Sequence, residues 1–178
     1  MMLSDSDRDL LTRTVLAEAG PNASPVEQAA VAHVVLNRLG RDDYPKTMSG
    51  VLFQKNAFEP WGLRRTAPNN PMRFSADDPS YARASQVVDG ALSGSMPDPT
   101  NGADRFQNPD VVAQRRQRGL VSKNVDLAPS GALRIGPQAY WATPAPPPQK
   151  VAQNDANGST EDFFQRLTGT PPATQDSE

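Results

Sequence analysis

The stretch Ser24-Pro25-Val26-Glu27-Gln28-Ala29-Ala30-Val31-Ala32-His33-Val34-Val35-Leu36-Asn37-Arg38-Leu39-Gly40 decides the reading of this chain. Ser24 is a hydroxyl N-cap, Pro25 takes the first helical position where a missing N–H costs nothing, and Glu27 stands where it completes a capping box. Gly40 supplies the stop. Ala29, Ala30, Val31, Ala32, Val34, Val35, Leu36 and Leu39 make the segment apolar on nearly every face, and such a helix belongs at the centre of a fold. The expectation is a mainly α domain built around this scaffold.

Upstream, residues 6–19 carry Leu10, Leu11, Val15 and Ala19 at helical spacing and end at Gly20-Pro21. Downstream, Thr47 precedes Met48-Ser49-Gly50-Val51-Leu52-Phe53, Asp78-Pro79 precedes Tyr81, Ala84, Val88, Ala91 and Leu92, and Asn108-Pro109 precedes Val111-Val112. Each is a helix start with its own cap. Residues 56–74, rich in Pro, Asn and Arg around Phe58 and Trp61, have the profile of a functional loop. Short extended segments are expected at 103–106 and 133–135.

At 178 residues the chain suits one core, with 37% hydrophobic and 21% charged residues. A mean hydropathy of −0.60 and 18 prolines point to much solvated, irregular chain. Pro144, Pro146, Pro147, Pro148, Pro171 and Pro172 divide it into a body, residues 1–141, and a Pro-rich C-terminal tail, residues 142–178. Within the tail, Ser159-Thr160-Glu161-Asp162 precedes Phe163, Phe164 and Leu167, an amphipathic turn able to dock on a partner or on the body itself. No apolar run approaches the ~18 residues of a membrane span. A net charge of −2 and a pI near 5.4 argue against nucleic acid as a partner. The acidic start Ser4-Asp5-Ser6-Asp7 is unlike a signal peptide, so synthesis in the cytoplasm is expected. With no cysteine and one histidine, thiolate chemistry and zinc-finger spacings are excluded, neither metal nor cofactor is expected, and carboxylates are left to do any chemistry.

Among the carboxylates Glu18 stands out. It lies seven positions after Leu11 and three after Val15, on the apolar face of its helix, just before the break at Gly20-Pro21. Burial there disfavours the charged form and raises the pKa toward neutrality, the condition for a general acid in glycosidic cleavage. An ion-paired or edge-exposed glutamate is the competing reading. Glu59, between Phe58 and Pro60-Trp61, is the candidate second carboxylate. Phe58, Trp61 and Tyr140 are candidates to stack on sugar faces, with plain packing as the alternative. Asn37, polar within an apolar helix, either orients Glu18 or satisfies an internal hydrogen bond. His33 reads as a satisfied core residue, and Arg115-Arg116-Gln117-Arg118 with Arg64-Arg65 as cations able to meet peptide carboxylates or simply to face solvent.

Ala17-Glu18-Ala19, Val31-Ala32-His33-Val34-Val35-Leu36-Asn37-Arg38, Tyr44-Pro45, Val51-Leu52-Phe53-Gln54, Ala57-Phe58-Glu59-Pro60-Trp61 and Asp98-Pro99-Thr100-Asn101-Gly102-Ala103, in this order, resemble the SleB-like cell wall hydrolase family. The resemblance covers roughly residues 10–141. It implies a lysozyme-like fold, peptidoglycan glycan strands as substrate, and Glu18 as the catalytic glutamate of a muramidase or lytic transglycosylase. In the latter, one glutamate protonates the leaving oxygen and then takes the proton of the sugar's 6-hydroxyl. Two histidines usual in the family are replaced, by Arg105 after Asp104 and by Gln138 after Pro137. Retained Glu18 favours an enzyme, carried as an endolysin or by a virion through the tail; the lost histidines favour a catalytically degenerate relative that serves as a structural or wall-binding component of a phage-like particle.

Overall fold

The computed structural model describes residues 3–121 and 127–144. The tail segment at 159–167 lies outside the described residues. Helix α1 spans Asp5–Ala19, α2 Pro25–Gly40, α3 Met48–Leu52, α4 Pro79–Ser93 and α5 Pro109–Gln117. Strands β1 Arg105–Gln107, β2 Leu133–Ile135 and β3 Gln138–Trp141 form one antiparallel sheet in the order β1-β3-β2, with Tyr140 opposite both Phe106 and Leu133. Two 3-10 turns, Glu59–Gly62 and Pro71–Arg73, punctuate the long loop.

The caps form as the sequence predicts. Ser24 Oγ accepts from Glu27 N at 3.3 Å while the Glu27 carboxylate accepts from Ser24 N at 2.9 Å. Ser4 and Asp7 make the same box at the start of α1, so that helix begins slightly earlier than its apolar periodicity indicates. Thr47, Asp78 and Asn108 each accept a backbone N–H in the first turn of α3, α4 and α5. Gly20, at φ 96°, turns the chain out of α1 with its N–H on Leu16 O at 3.0 Å.

Helices α1, α2 and α4 pack on one another, and α3 closes one end against α1 and α2. Leu11, Val15, Val31, Val35, Leu52 and Val88 make the main core. A second, smaller core of Ala30, Val34, Ala103 and Tyr140 lies between α2 and the sheet. The need to fill both explains why α2 is apolar almost all round: one side faces helices, the other faces strands. Helix α5 buries no residue.

Contacts of the body extend to residue 143. Asp104, fully buried, accepts hydrogen bonds from Thr143 N and Thr143 Oγ1, both at 2.6 Å, and from Tyr44 Oη at 2.9 Å. Arg41 Nη1 donates to Thr143 O at 2.9 Å. Thr143, two residues past the boundary read from proline composition, satisfies a buried carboxylate of the body. Among the described residues no helix is long and apolar enough to cross a membrane.

Candidate active site

Glu18 sits in the last turn of α1, which carries no basic residue. Three consequences follow for its carboxyl. It is largely enclosed by protein, it lies at the negative end of the helix dipole, and among the described residues it makes no hydrogen bond. Burial is the main cause that pushes its pKa up to about 7; the negative charge of Glu59 adds to the rise, and Arg38 opposes it. A carboxyl poised near neutrality can hold its proton for donation and still release it.

The pocket beside it is small, about 20 Å³, lined by Glu18, Ala19, Glu27, Pro137, Gln138 and Tyr140. Gly136, at φ 56°, turns β2 into β3 directly against Glu27, where any side chain would collide with the Glu27 carboxylate. The turn thereby delivers Gln138 to Glu18. Gln138 Oε1 is buried with no hydrogen-bond partner, and Gln138 lines the same small pocket as the candidate acid. Arg105 lies on β1, across the sheet from Trp141.

A second feature is the cleft of about 600 Å³ lined by residues 52–56, Phe58, Glu59, Trp61, Gly62 and Leu63. Trp61 Nε1 donates to Thr14 Oγ1 at 2.9 Å, and its ring meets Phe53 edge-on at 5.0 Å. The long loop therefore forms one wall of a cleft and is keyed to the helix that carries Glu18. Glu59 is exposed and ion-paired, both of its oxygens 3.2 Å from Arg115 on α5. It lies on the cleft and acts on Glu18 through space, without entering the small pocket.

The other aromatic candidates are packed. Tyr140 is 1% exposed, stacked on Phe106 at 5.7 Å, and burial followed by the charges of Glu27 and Glu18 raises its phenol well above the ordinary value. Its face is taken by Phe106, which leaves no room for a sugar. Phe58 lines the cleft but is only 4% exposed, with the Arg38 guanidinium 4.8 Å from its ring centre. Trp61, partly exposed, is the aromatic of the three that presents surface to the cleft. Asn37 donates both amide hydrogens, to Asp98 Oδ2 and to Ala103 O, each at 3.0 Å. Asp98 also accepts from Thr100 N, Thr100 Oγ1 and Gly102 N, so Asn37 clamps the 98–103 turn onto α2. His33 is buried with Nε2 3.0 Å from Met96 O.

Arg38 was quoted above only as part of a motif, yet it is a central cation of the site. It is 6% exposed, its Nε donates to Asp104 O at 2.8 Å, and its Nη1 is buried without a partner. The signal was its spacing: Arg38 follows Val31, Val34 and Val35 on the buried faces of α2.

The molecule resembles solved structures over most of its described length. The catalytic domain of the Bacillus cereus SleB protein superposes with a TM-score of 0.56, at 28% identity, covering 78% of this chain and 91% of that one. The catalytic domain of the SleB lytic transglycosylase of Bacillus anthracis also gives 0.56, at 24% identity, over 78% of this chain and 95% of that one, and shares the fold. Spore cortex-lytic enzymes of Halalkalibacterium halodurans and Oceanobacillus iheyensis are 39% and 33% identical over 110 residues, 61% of this chain. The chain spans about a third of the length of these curated relatives, 29% and 35%. The architecture is thus lysozyme-like and mainly α. The family model described as Cell Wall Hydrolase matches residues 23–126, more than half of the sequence, with Glu18 just ahead of the matched segment, and the chain belongs to that family.

Proposed function

We propose that this chain cleaves the glycan strand of peptidoglycan as a lytic transglycosylase, with Glu18 as the only acid and base. The observation that carries the reading is an enclosed carboxyl, free of hydrogen bonds among the described residues, with its pKa at about 7. Neutral Glu18 gives its proton to the glycosidic oxygen as the C1–O bond breaks. The resulting carboxylate removes the proton of the 6-hydroxyl, and that oxygen bonds to C1, closing an anhydro ring without water. Family membership and the likeness to SleB catalytic domains support peptidoglycan as the substrate. Glu59, held by Arg115, is not asked to act as a nucleophile.

Mass spectrometry of purified peptidoglycan after incubation tests the reading. Anhydro ends, lost in Glu18→Gln, are the expected result; reducing ends would instead make the chain a muramidase. A second reading, a wall-binding relative without turnover, is favoured by Gln138 standing beside Glu18 in place of a family histidine. Sedimentation with intact walls and no fragment release would establish it. Carriage by a phage-like particle through residues 142–178 is a separate proposal, supported only by the Pro-rich composition of that stretch. Co-sedimentation of the chain with purified particles would test it.

A further inference from the structure

Helix α5 divides two grooves. Arg115 points to Glu59 on the aromatic cleft. Arg116, one position on, lines a separate groove of about 400 Å³ with Val112, Ala113, Leu127, Arg134 and Ala139. Strand β3 links this groove to the Glu18 pocket. Ala139 borders this groove, while Gln138 and Tyr140, its neighbours with the opposite side-chain direction, border the Glu18 pocket.

The chemistry of the groove is distinctive for a chain of net charge −2. The Arg116 and Arg134 side chains have no hydrogen-bond or ion-pair partner among the described residues, so two free guanidiniums flank a lining of small and branched apolar side chains. Leu127, in the lining, is 41% exposed. Guanidiniums recognise carboxylates in planar, paired geometry, and alanine-sized walls accept methyl groups. We infer that this groove binds the carboxylate-bearing peptide that branches from the glycan strand, Arg116 and Arg134 taking its acidic groups and the Val112 and Ala113 surface its alanine methyls. The inference rests on peptidoglycan being the substrate. It goes beyond that reading by giving the chain a second contact with substrate, set across α5 and β3 from the acid.

The test separates the two readings by using a peptide alone. Amide resonances of the full-length protein are followed while a synthetic stem tetrapeptide, L-Ala-γ-D-Glu-L-Lys-D-Ala, is added. Shifts are expected at Ala113, Arg116 and Arg134, and they should vanish in the double variant Arg116→Gln, Arg134→Gln, whose substituted side chains are exposed and leave the core intact. In parallel, the ratio of kcat/KM on peptidoglycan to that on strands stripped of peptide by an amidase should fall by about tenfold in the double variant, a size set by two exposed charge-assisted contacts. No shifts at millimolar peptide, shifts that persist in the double variant, or an unchanged ratio would overturn the inference, as would light scattering that showed the groove to be the contact of a dimer. Peptide binding by a protein that cleaves no glycan would sink the proposed function and leave the peptide site standing. Cleavage with no preference for peptide-bearing strands would do the reverse.

Discussion

Trp61 reaches across from the long loop and donates its indole N–H to the hydroxyl of Thr14, at 2.9 Å, one helical turn before Glu18 on α1. Thr14 in turn donates to Leu10 O at 2.7 Å. The aromatic wall of the cleft and the helix that carries Glu18 are thereby one piece. Trp61→Phe keeps an aromatic ring but loses the hydrogen bond, and should cost about 1 kcal/mol, or roughly 2–4 °C in Tm for a chain of this length. Thermal melts measure it. A variant with the wild-type Tm and raised KM would show that the indole serves sugar alone.

Glu18 gives stability a pH dependence of definite sign. Its folded pKa, about 7, lies above the ordinary glutamate value of 4.5, so the folded state holds the proton more tightly than the unfolded chain. That contribution is complete below the unfolded value and is lost as pH rises through the folded one. Glu18→Gln cannot ionise. It should match wild type near pH 4 and exceed it near pH 8, by about 1–3 kcal/mol after allowance for partial exposure. Denaturant melts at the two pH values check this, and equal stability of the pair at both would contradict an enclosed, unpaired carboxyl.

Two neighbours should move the same titration in opposite directions. Glu59 raises the Glu18 pKa and Arg38 lowers it. Activity that requires a protonated Glu18 falls as pH rises through its pKa, so this alkaline limb should shift down in Glu59→Gln and up in Arg38→Met. Arg38→Met also takes the donor from Asp104 O, which lowers stability, but a stability loss alone does not move the midpoint of a pH–rate profile. Limbs that coincide in all three proteins would mean that the titrating group is not Glu18.

What the sequence made legible was local. Ser24, Pro25 and Glu27 announce α2 because a capping box is closed within four residues, and Glu18 announces itself because a charge on the apolar face of a helix needs no knowledge of the rest of the fold. What stayed hidden depends on partners far along the chain. The pairing of Phe106 with Tyr140 buries that ring, in line with packing, the alternative to a sugar platform. Asn37, polar in an apolar helix, finds its acceptors at Asp98 and Ala103. Glu59 meets Arg115 only because the fold brings α5 against the long loop, and neither composition nor helical spacing encodes such a meeting.

The last prediction concerns where the body ends. Asp104 is fully buried, and burial by itself would raise its pKa, yet the hydrogen bonds from Thr143 and Tyr44, aided by Arg41, hold it below the ordinary carboxylate value. Truncation after Trp141 removes Thr143 and with it both 2.6 Å donors. A buried carboxylate that loses two donors costs about 2–4 kcal/mol, which in a domain of this size lowers Tm by roughly 5–15 °C. Truncation after Pro144 keeps the clasp and should melt close to the full chain. The pH dependence gives an independent check: a carboxylate of depressed pKa stabilises above its unfolded value and ceases to do so as pH falls through the folded one. Without Thr143 the Asp104 pKa rises, so acid unfolding of the shorter form should begin at higher pH than that of the form ending at Pro144. Superimposable thermal and acid melts for the two truncations would show that Thr143 holds nothing, and that the body closes at Trp141 after all.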